Sequence, residues 1–165
     1  MTPATFHWDS LGADMVAVAQ PSCGNGFVVM GDSMGSAAAL TAMAQEPGFR
    51  DQVRGLVLMR PPNVWEARAK WKKVMAAAAG KREGKSQTIF LGSSETNLPP
   101  REMVAQVDVP VLLLGVKGDK VHPVESVEQL VAVLPKARSE VAESWEEAQA
   151  VFPGAAAAFY RECCG

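Results

Sequence analysis

Apolar positions along the chain follow two spacings, one typical of strands and one typical of helices. Short continuous apolar runs at 27–30, 56–59 and 109–114 predict buried strands, and a weaker run at 137–142 predicts a fourth. Between these runs, apolar residues recur at helical spacing. The predicted helices cover 8–18, 35–45, 64–79, 124–134 and 146–162, the last interrupted at Pro153. Alternating strands and helices predict an α/β fold with about four parallel strands flanked by helices.

The segment between the second and third predicted strands differs in composition from the rest. Residues 66–85 carry seven basic side chains and two acidic ones, a local balance of +5. With Trp65 and Trp71 this stretch could form a nucleic-acid patch, but a solvated helix face over an apolar stripe explains it more simply. Residues 80–100, rich in Gly, Ser, Lys and Pro, predict a long surface loop or insertion.

Composition and charge narrow the class of protein. With 165 residues, 48% of them hydrophobic and 21% charged, the chain is expected to be a single domain with one core, residues 1–165. The longest apolar run, 109–116, is too short to span a membrane. The first basic residue is Arg50, which does not fit a secretory leader, so a cytoplasmic location is expected. The net charge of −2 predicts no nucleic-acid or membrane partner.

Cysteine usage points to no disulfide framework and no metal site. The three cysteines are Cys23, Cys163 and Cys164, an odd number with two of them adjacent at the C-terminal end. Their spacing lacks the C-x-x-C pattern of zinc ligands, and no phosphate loop or nucleotide fingerprint is present. We therefore expect free thiols, no metal and no cofactor.

The motif that carries chemistry lies between the first predicted strand and the helix after it. Gly31-Asp32-Ser33-Met34-Gly35 is a G-x-S-x-G pattern in the strand–turn–helix setting of a nucleophile elbow. Glycines two residues either side of Ser33 would remove Cβ atoms that collide as strand and helix approach. The turn would expose the Ser33 hydroxyl and place the Met34 N–H at a helix start, where it can stabilise an oxyanion. A turn of this composition without chemistry is the alternative.

A serine needs a base to take its proton, and the chain has only two histidines, His7 and His122. Asp119 and His122 follow the third predicted strand in Gly-Asp-Lys-Val-His-Pro, at the edge where open α/β sheets bind ligands. Asp119 could be the triad acid or only a turn former. His122 could be the base or a structural residue at the helix entry, whereas His7 is expected at the surface. Asp32 could orient a histidine or weaken ester binding through its charge.

These motifs resemble those of the α/β-hydrolase superfamily, in particular bacterial members with an Asp-x-x-His-Pro turn. The resemblance covers nearly the whole chain and rests on four segments: Trp8-Asp9-Ser10-Leu11, Gly31-Asp32-Ser33-Met34-Gly35, Arg60-Pro61-Pro62-Asn63-Val64-Trp65-Glu66 and Gly118-Asp119-Lys120-Val121-His122-Pro123. It implies a partial α/β-hydrolase fold with a helical cap-like insertion at 64–107. It also implies Ser33 as nucleophile, Asp119 as triad acid, and the Met34 N–H as an oxyanion donor.

Two departures from the family pattern affect the expected site. The family usually supplies its histidine after the last strand, near 142–147 here, but no histidine follows His122. The strands that normally precede the elbow, with the loop that bears the second oxyanion donor, are absent. The elbow strand is therefore expected at an exposed sheet edge, through which copies of the chain could form a homo-oligomer.

Three functional hypotheses follow. The first is a cofactor-free serine hydrolase that cleaves a small ester, thioester or amide through an acyl-Ser33 intermediate, with Asp119 and His122 as acid and base. The second is a pseudoenzyme, a binding module that keeps the elbow without a working base. The third is an N-terminally truncated fragment of a longer hydrolase. Residues Trp65, Trp71, Met75 and Met103 could line a substrate pocket or belong to the core.

Overall fold

The computed structural model describes residues 2–22 and 26–165, so the expected free thiol of Cys23 lies outside the described residues. After a short 3-10 helix (Pro3–Phe6), four strands and eight helices follow. The strands are β1 (Phe27–Asp32), β2 (Val53–Met59), β3 (Val111–Val116) and β4 (Ala137–Ala142). The helices are α1 (Trp8–Ser22), α2 (Met34–Gln45), α3 (Pro47–Arg50), α4 (Trp65–Ala79), α5 (Gly84–Ser94), α6 (Arg101–Val104), α7 (Val124–Val133) and α8 (Trp145–Cys164).

The four strands form one parallel sheet in the order β1-β2-β3-β4. The predicted α/β architecture with four parallel strands is therefore confirmed. Every residue of β3 is buried, because helices cover both faces of the sheet. On one face Leu56, Leu58 and Leu113 pack in a cluster with residues of α1, α2 and α7. On the other, Leu112 and Leu114 pack against Phe152 and Phe159 of α8.

Strands β1 and β4 form the two edges of this sheet among the described residues. The outer side of β1 has no strand partner there, as the sequence led us to expect, and Met30 on this strand is 54% exposed. Trp145, at the start of α8, is 47% exposed and lines the same shallow groove as Met30. Met30 and Trp145 therefore belong to one contiguous exposed apolar patch and are not isolated surface residues.

Two expectations about secondary structure are wrong. The predicted loop at 80–100 contains α5, because this helix packs against α4 and against the 3-10 helix. Gly92 permits that approach, since a Cβ there would collide with the carbonyl oxygen of Pro3. Helix α8 is also continuous through Pro153. Phe152 and Ala156, on either side of the proline, are both buried against the sheet, so packing outweighs the loss of one backbone hydrogen bond.

Cys163 and Cys164 are free cysteines at the end of α8. Within residues 2–22 and 26–165, no helix combines the length and the apolar character that a membrane crossing requires.

Candidate active site

The carboxyl ends of the parallel strands bring together the residues that the sequence singled out. Ser33 follows β1 directly, and residues 117–123 form the connection between β3 and α7. Parallel strands end at the same edge of a sheet, so these two connections lie on one side of the molecule. Loops there form the floor of the candidate site.

Ser33 adopts a strained backbone conformation at the tip of the elbow. Its φ of 53° and ψ of −117° lie outside the regions that non-glycine residues ordinarily occupy. Such a conformation costs on the order of 1–3 kcal/mol and persists only when its surroundings enforce it. Here the Ser33 N–H donates to the carbonyl of Met59 (3.0 Å), and Ser36 Oγ lies 2.8 Å from the carbonyl oxygens of both Gly31 and Met59. These bonds tie the elbow to the end of β2.

The two elbow glycines do not play equivalent roles. A Cβ on Gly31 would collide with the backbone of Gly35 and Ser36, so only glycine fits there. A Cβ on Gly35 would meet nothing within 4 Å. The expectation that both glycines relieve a collision is therefore wrong for Gly35, because the crowding falls on the strand side of the turn, where Gly31 faces the first turn of α2.

Ser33, His122 and Asp119 form a continuous hydrogen-bonded chain. His122 Nε2 lies 2.8 Å from Ser33 Oγ, and His122 Nδ1 lies 3.0 Å from Asp119 Oδ2. The His122 and Asp119 side chains are 12% and 8% exposed, so both interactions are largely shielded from water. Two residues separate Asp119 from His122, and the turn they form places the His122 ring between the Asp119 carboxylate and the hydroxyl of Ser33.

The Asp119 carboxylate is held by hydrogen bonds from its own turn. Burial acts to raise its pKa, but the backbone N–H of Val121 (2.9 Å), the His122 ring and the His122 N–H (3.0 Å) together lower it below the ordinary value. Asp119 is therefore ionised at neutral pH. One oxygen of the carboxylate fixes the turn, and the other orients the His122 ring.

Asp32, beside Ser33, pairs with an arginine and not with a histidine. Arg60 Nε donates to Asp32 Oδ1 (2.8 Å), Arg60 Nη2 donates to Asp32 Oδ2, and the guanidinium lies 5.0 Å from the ring centroid of Trp145. Arg60 itself has a left-handed backbone, with a φ of 46°. The pair links the ends of β1 and β2, and the Asp32 charge is neutralised by an arginine rather than used to orient a histidine.

Above Ser33 and His122 lies a cavity of about 400 Å³, roofed by α4 and α5. Its apolar lining consists mainly of Trp71, Val74, Met75, Ile89, Phe90 and Val121. Of the candidates for pocket residues, Trp71 and Met75 line this cavity, whereas Trp65 is 7% exposed and belongs to the core. Size and lining are typical of a small-molecule site.

The roof is anchored where α4 begins. Trp65 has a left-handed backbone (φ 48°) and is held by Asn97, whose Oδ1 accepts from the Trp65 N–H (2.7 Å) and whose Nδ2 donates to the Trp65 carbonyl (2.9 Å). Trp65 Nε1 also donates to the carbonyl of Pro99 (2.9 Å). These polar contacts join the two ends of the segment 64–107 to each other at its base.

Sequence reasoning missed two polar residues of this cavity, Asn63 and Arg68. Asn63 follows β2, is 5% exposed, and its side-chain amide makes no hydrogen bond with any described residue. Arg68 was expected on a solvated basic face, but it is 6% exposed because it lies beneath α5. Helical spacing could have revealed Arg68, since it shares one face of α4 with Trp71 and Met75.

Several solved structures have a fold similar to that of this chain. An esterase from Exiguobacterium antarcticum is 15% identical, with a TM-score of 0.77 over 96% of this chain and 75% of that one. A thermophilic esterase from Thermogutta terrifontis is 14% identical (TM-score 0.72, 96% and 74%), and an esterase from Rhodococcus sp. is 15% identical (TM-score 0.67, 94% and 74%). The chain has an α/β-hydrolase fold.

This α/β-hydrolase fold is partial, since the chain spans about three quarters of each of these structures. No protein-family model and no curated protein matches the sequence significantly. At identities near 15% the shared fold does not carry an activity with it, because one scaffold hosts many reactions. The function of this α/β-hydrolase-like chain has to be argued from its own site.

Proposed function

We propose that the protein is a serine hydrolase that cleaves a small ester, thioester or amide through an acyl-Ser33 intermediate. The observation that carries the proposal is the hydrogen-bonded chain from Ser33 Oγ through the His122 ring to the Asp119 carboxylate, with both links at 3.0 Å or less. This is the arrangement by which a base activates a serine hydroxyl. The strained backbone of Ser33 supports the same interpretation, because strain of this kind concentrates at functional sites.

In the acylation step, His122 Nε2 takes the Ser33 hydroxyl proton as Oγ attacks the substrate carbonyl carbon. The carbonyl oxygen becomes an oxyanion, and the tetrahedral intermediate collapses when His122 gives the same proton to the leaving group. Water then attacks the acyl-enzyme with His122 again as base, which releases the acid and restores Ser33. The Asp119 carboxylate holds the Nδ1–H of His122 and stabilises the imidazolium that forms in each step.

Two groups are suited to stabilise the oxyanion. Met34 begins α2, so its N–H is one of the unpaired donors at a helix start, where the helix dipole also favours negative charge. Asn63 is 5% exposed, lines the same cavity as Ser33 and Met34, and its side chain makes no hydrogen bond with the described residues. We assign Asn63 as the second donor. It would replace the backbone donor that the hydrolase resemblance places on a loop before the elbow.

The insertion at 64–107 would act as a cap. Helices α4 and α5 supply most of the apolar cavity lining and exclude water from one side of Ser33. A water-poor cavity strengthens each electrostatic interaction on which the mechanism depends. Acyl-group preference would therefore be set by the cap rather than by the sheet.

Labelling with a fluorophosphonate probe, read by mass spectrometry of the intact protein and its peptides, tests the proposal. We expect one label on Ser33, none on Ser33→Ala, and at least about 10²-fold slower labelling of His122→Ala. His7→Ala is the matched control, because it removes the other histidine outside the cavity, and it should label at the wild-type rate. Asn63→Ala should slow hydrolysis by about 10²-fold or more, the usual loss for one oxyanion donor.

The competing hypothesis is a pseudoenzyme that binds ligands in the same cavity without chemistry. Circular dichroism and light scattering should accompany the labelling, so that each variant is known to be folded and monodisperse. Absence of label on such a wild-type protein would overturn the hydrolase proposal and favour the binding module. Label on another residue, or equal rates for His7→Ala and His122→Ala, would remove His122 from the mechanism.

A further inference from the structure

Arg68 is a buried cation without an anionic partner. Its side chain extends from α4 beneath α5, the residue is 6% exposed, and burial lowers its pKa to about 10. Within the described part of the chain no carboxylate forms a salt bridge with it. Burying a charge without a counter-charge is costly, and native proteins usually pair such groups. The absence of a negative partner for Arg68 among the described residues therefore suggests that a ligand supplies the charge.

Neutral groups satisfy only part of the Arg68 guanidinium. Nε donates to the carbonyl of Thr96 (3.3 Å), Nη2 donates to the carbonyl and the hydroxyl of Ser93, and the guanidinium lies 4.6 Å from the ring centroid of Trp8. Ser93 belongs to the last turn of α5, whose dipole supplies at most about half a negative charge. Nη1 makes no hydrogen bond with any described residue. The guanidinium thus keeps a free donor and an excess of positive charge.

Arg68 contributes to the lining of the cavity above Ser33. Arg68 lines the same cavity as Ser33 and His122, and the cavity's charged lining residues, among the described part of the chain, are the arginines Arg68 and Arg82. Arg82 donates to the carbonyl of Ala78 (2.7 Å) and stacks over Phe90. No acidic side chain contributes to the lining there. The segment 66–85, which includes both arginines, has a local charge balance of +5 and gives this side of the cavity a positive field.

We propose that the substrate carries a carboxylate in addition to the bond that is cleaved, and that Arg68 binds this carboxylate. The inference rests on the proposed hydrolase function and names the substrate class for that site. A carboxylate matches the planar fork of a guanidinium and would neutralise the buried charge, whereas a neutral acyl chain would leave it unpaired. The apolar lining would hold the carbon chain between the carboxylate and the scissile bond.

Matched ester pairs test the preference and locate the carboxylate. For the acid side, 4-nitrophenyl hydrogen adipate is compared with 4-nitrophenyl hexanoate, which has the same chain length without the charge. For the alcohol side, 4-acetoxybenzoate is compared with phenyl acetate. We expect the charged member of one pair to have the higher kcat/KM by about 10- to 100-fold, mainly through KM, as one charge-assisted hydrogen bond would give.

Arginine variants show whether Arg68 is responsible. Arg68→Met should reduce the preference to about one, and Arg68→Lys should retain part of it, because the charge remains without the fork. The matched control is Arg101→Met: Arg101 also stacks over a tryptophan, Trp65, but is paired with Glu66 outside the cavity. The preference should survive in Arg101→Met. If Arg68→Met fails to fold, the wild-type ratios and Arg68→Lys still decide the question.

A binding measurement separates this inference from the proposed chemistry. Adipate, but not the neutral hexanamide, should raise the melting temperature of the Ser33→Ala protein, which needs no catalysis. Adipate stabilisation without any esterase activity would retain the anion site and overturn the hydrolase. Ester hydrolysis without preference for either charged substrate, or a preference unchanged in Arg68→Met, would overturn the role of Arg68 and leave the hydrolase in place.

Discussion

The elbow after β1 and the turn after β3 reach the same site by opposite physical means. Ser33 is held in a strained backbone conformation that steric fit and the hydroxyl of Ser36 enforce. Asp119 and His122 lie on a turn without positive φ at non-glycine residues, where the Asp119 carboxylate accepts two backbone N–H groups. Ser33 is therefore positioned by sterics and His122 by electrostatics, so different substitutions should damage each of these two turns.

The strands that lead to these two turns differ in burial. Strand β3 is central and buried on both faces, whereas β1 is an edge strand of the described sheet and exposes Met30. A strained turn on an edge strand needs local support, which β2 supplies through the Met59 carbonyl and the Arg60 contact with Asp32. Association of two copies through the β1 edge, expected from the sequence, stays a prediction.

The largest effect should come from Asp119→Asn, which changes the hydrogen bonding of the Asp119–His122 turn and leaves the turn at Ser33 unaltered. Asn Oδ1 can still accept the Val121 and His122 N–H groups, but Nδ2 would donate toward His122 Nδ1 and favour the wrong tautomer. We expect kcat to fall by about 10⁴-fold, the usual loss for this change in a triad. Ester hydrolysis and circular dichroism are the measurements.

The control for Asp119→Asn is Asp108→Asn, which removes an exposed carboxylate paired with Lys136 at the opposite end of β3 from the turn. It should leave kcat within about twofold of wild type, as surface ion pairs contribute little. Equal losses in the two variants, or a kcat within tenfold of wild type in Asp119→Asn, would show that the turn does not orient a base.

Gly31→Ala tests the steric positioning of the turn at Ser33. Its Cβ would collide with backbone atoms of Gly35 and Ser36, which no rotamer change can relieve, so we expect a loss of stability on the order of 4 kcal/mol or failure to fold. Gly35→Ala is the matched control, because its Cβ meets nothing within 4 Å, and it should unfold within about 1 kcal/mol of wild type. Urea unfolding measures both. Similar stability of the two variants would contradict the steric account.

The turn at Ser33 was easier to predict from the sequence than the contact between His122 and Ser33, for a physical reason. The elbow is a contiguous pattern of residues whose backbone demands are local, so Gly31 and Ser33 could be identified from order alone. The contact between His122 and Ser33 depends on strand register across β1, β2 and β3, which no local pattern encodes. The burial of Arg68 was missed for the same reason, since it depends on the packing of α5, a helix whose Gly- and Ser-rich sequence predicted a loop.

The contrast between the two strands can be tested by truncating one side chain on each. Leu113→Ala on β3 removes a fully buried side chain and should cost about 2–5 kcal/mol of unfolding free energy, because a cavity remains in a packed layer. Met30→Ala on β1 removes a half-exposed side chain and should cost less than about 1 kcal/mol. Equal losses in urea unfolding would mean that β1 is buried in solution, and a shift from dimer to monomer in Met30→Ala would identify the β1 edge as the covering contact.

The smallest expected effect is a pH dependence that belongs to the Asp119 turn alone. Because the folded-state pKa of Asp119 is lowered below its unfolded value of about 3.9, its ionisation stabilises the fold above that value, and this contribution disappears as pH falls through the folded pKa. The unfolding free energy of wild type minus that of Asp119→Asn should therefore be larger at pH 5 than at pH 3. Glu66 and Glu162, whose pKa values are lowered by hydrogen bonds from Arg101 and Arg138, titrate in both proteins and cancel in the difference. A difference that stays constant down to pH 3 would mean that the hydrogen bonds of this turn do not favour the charged carboxylate, and the electrostatic account of how His122 is positioned would fail.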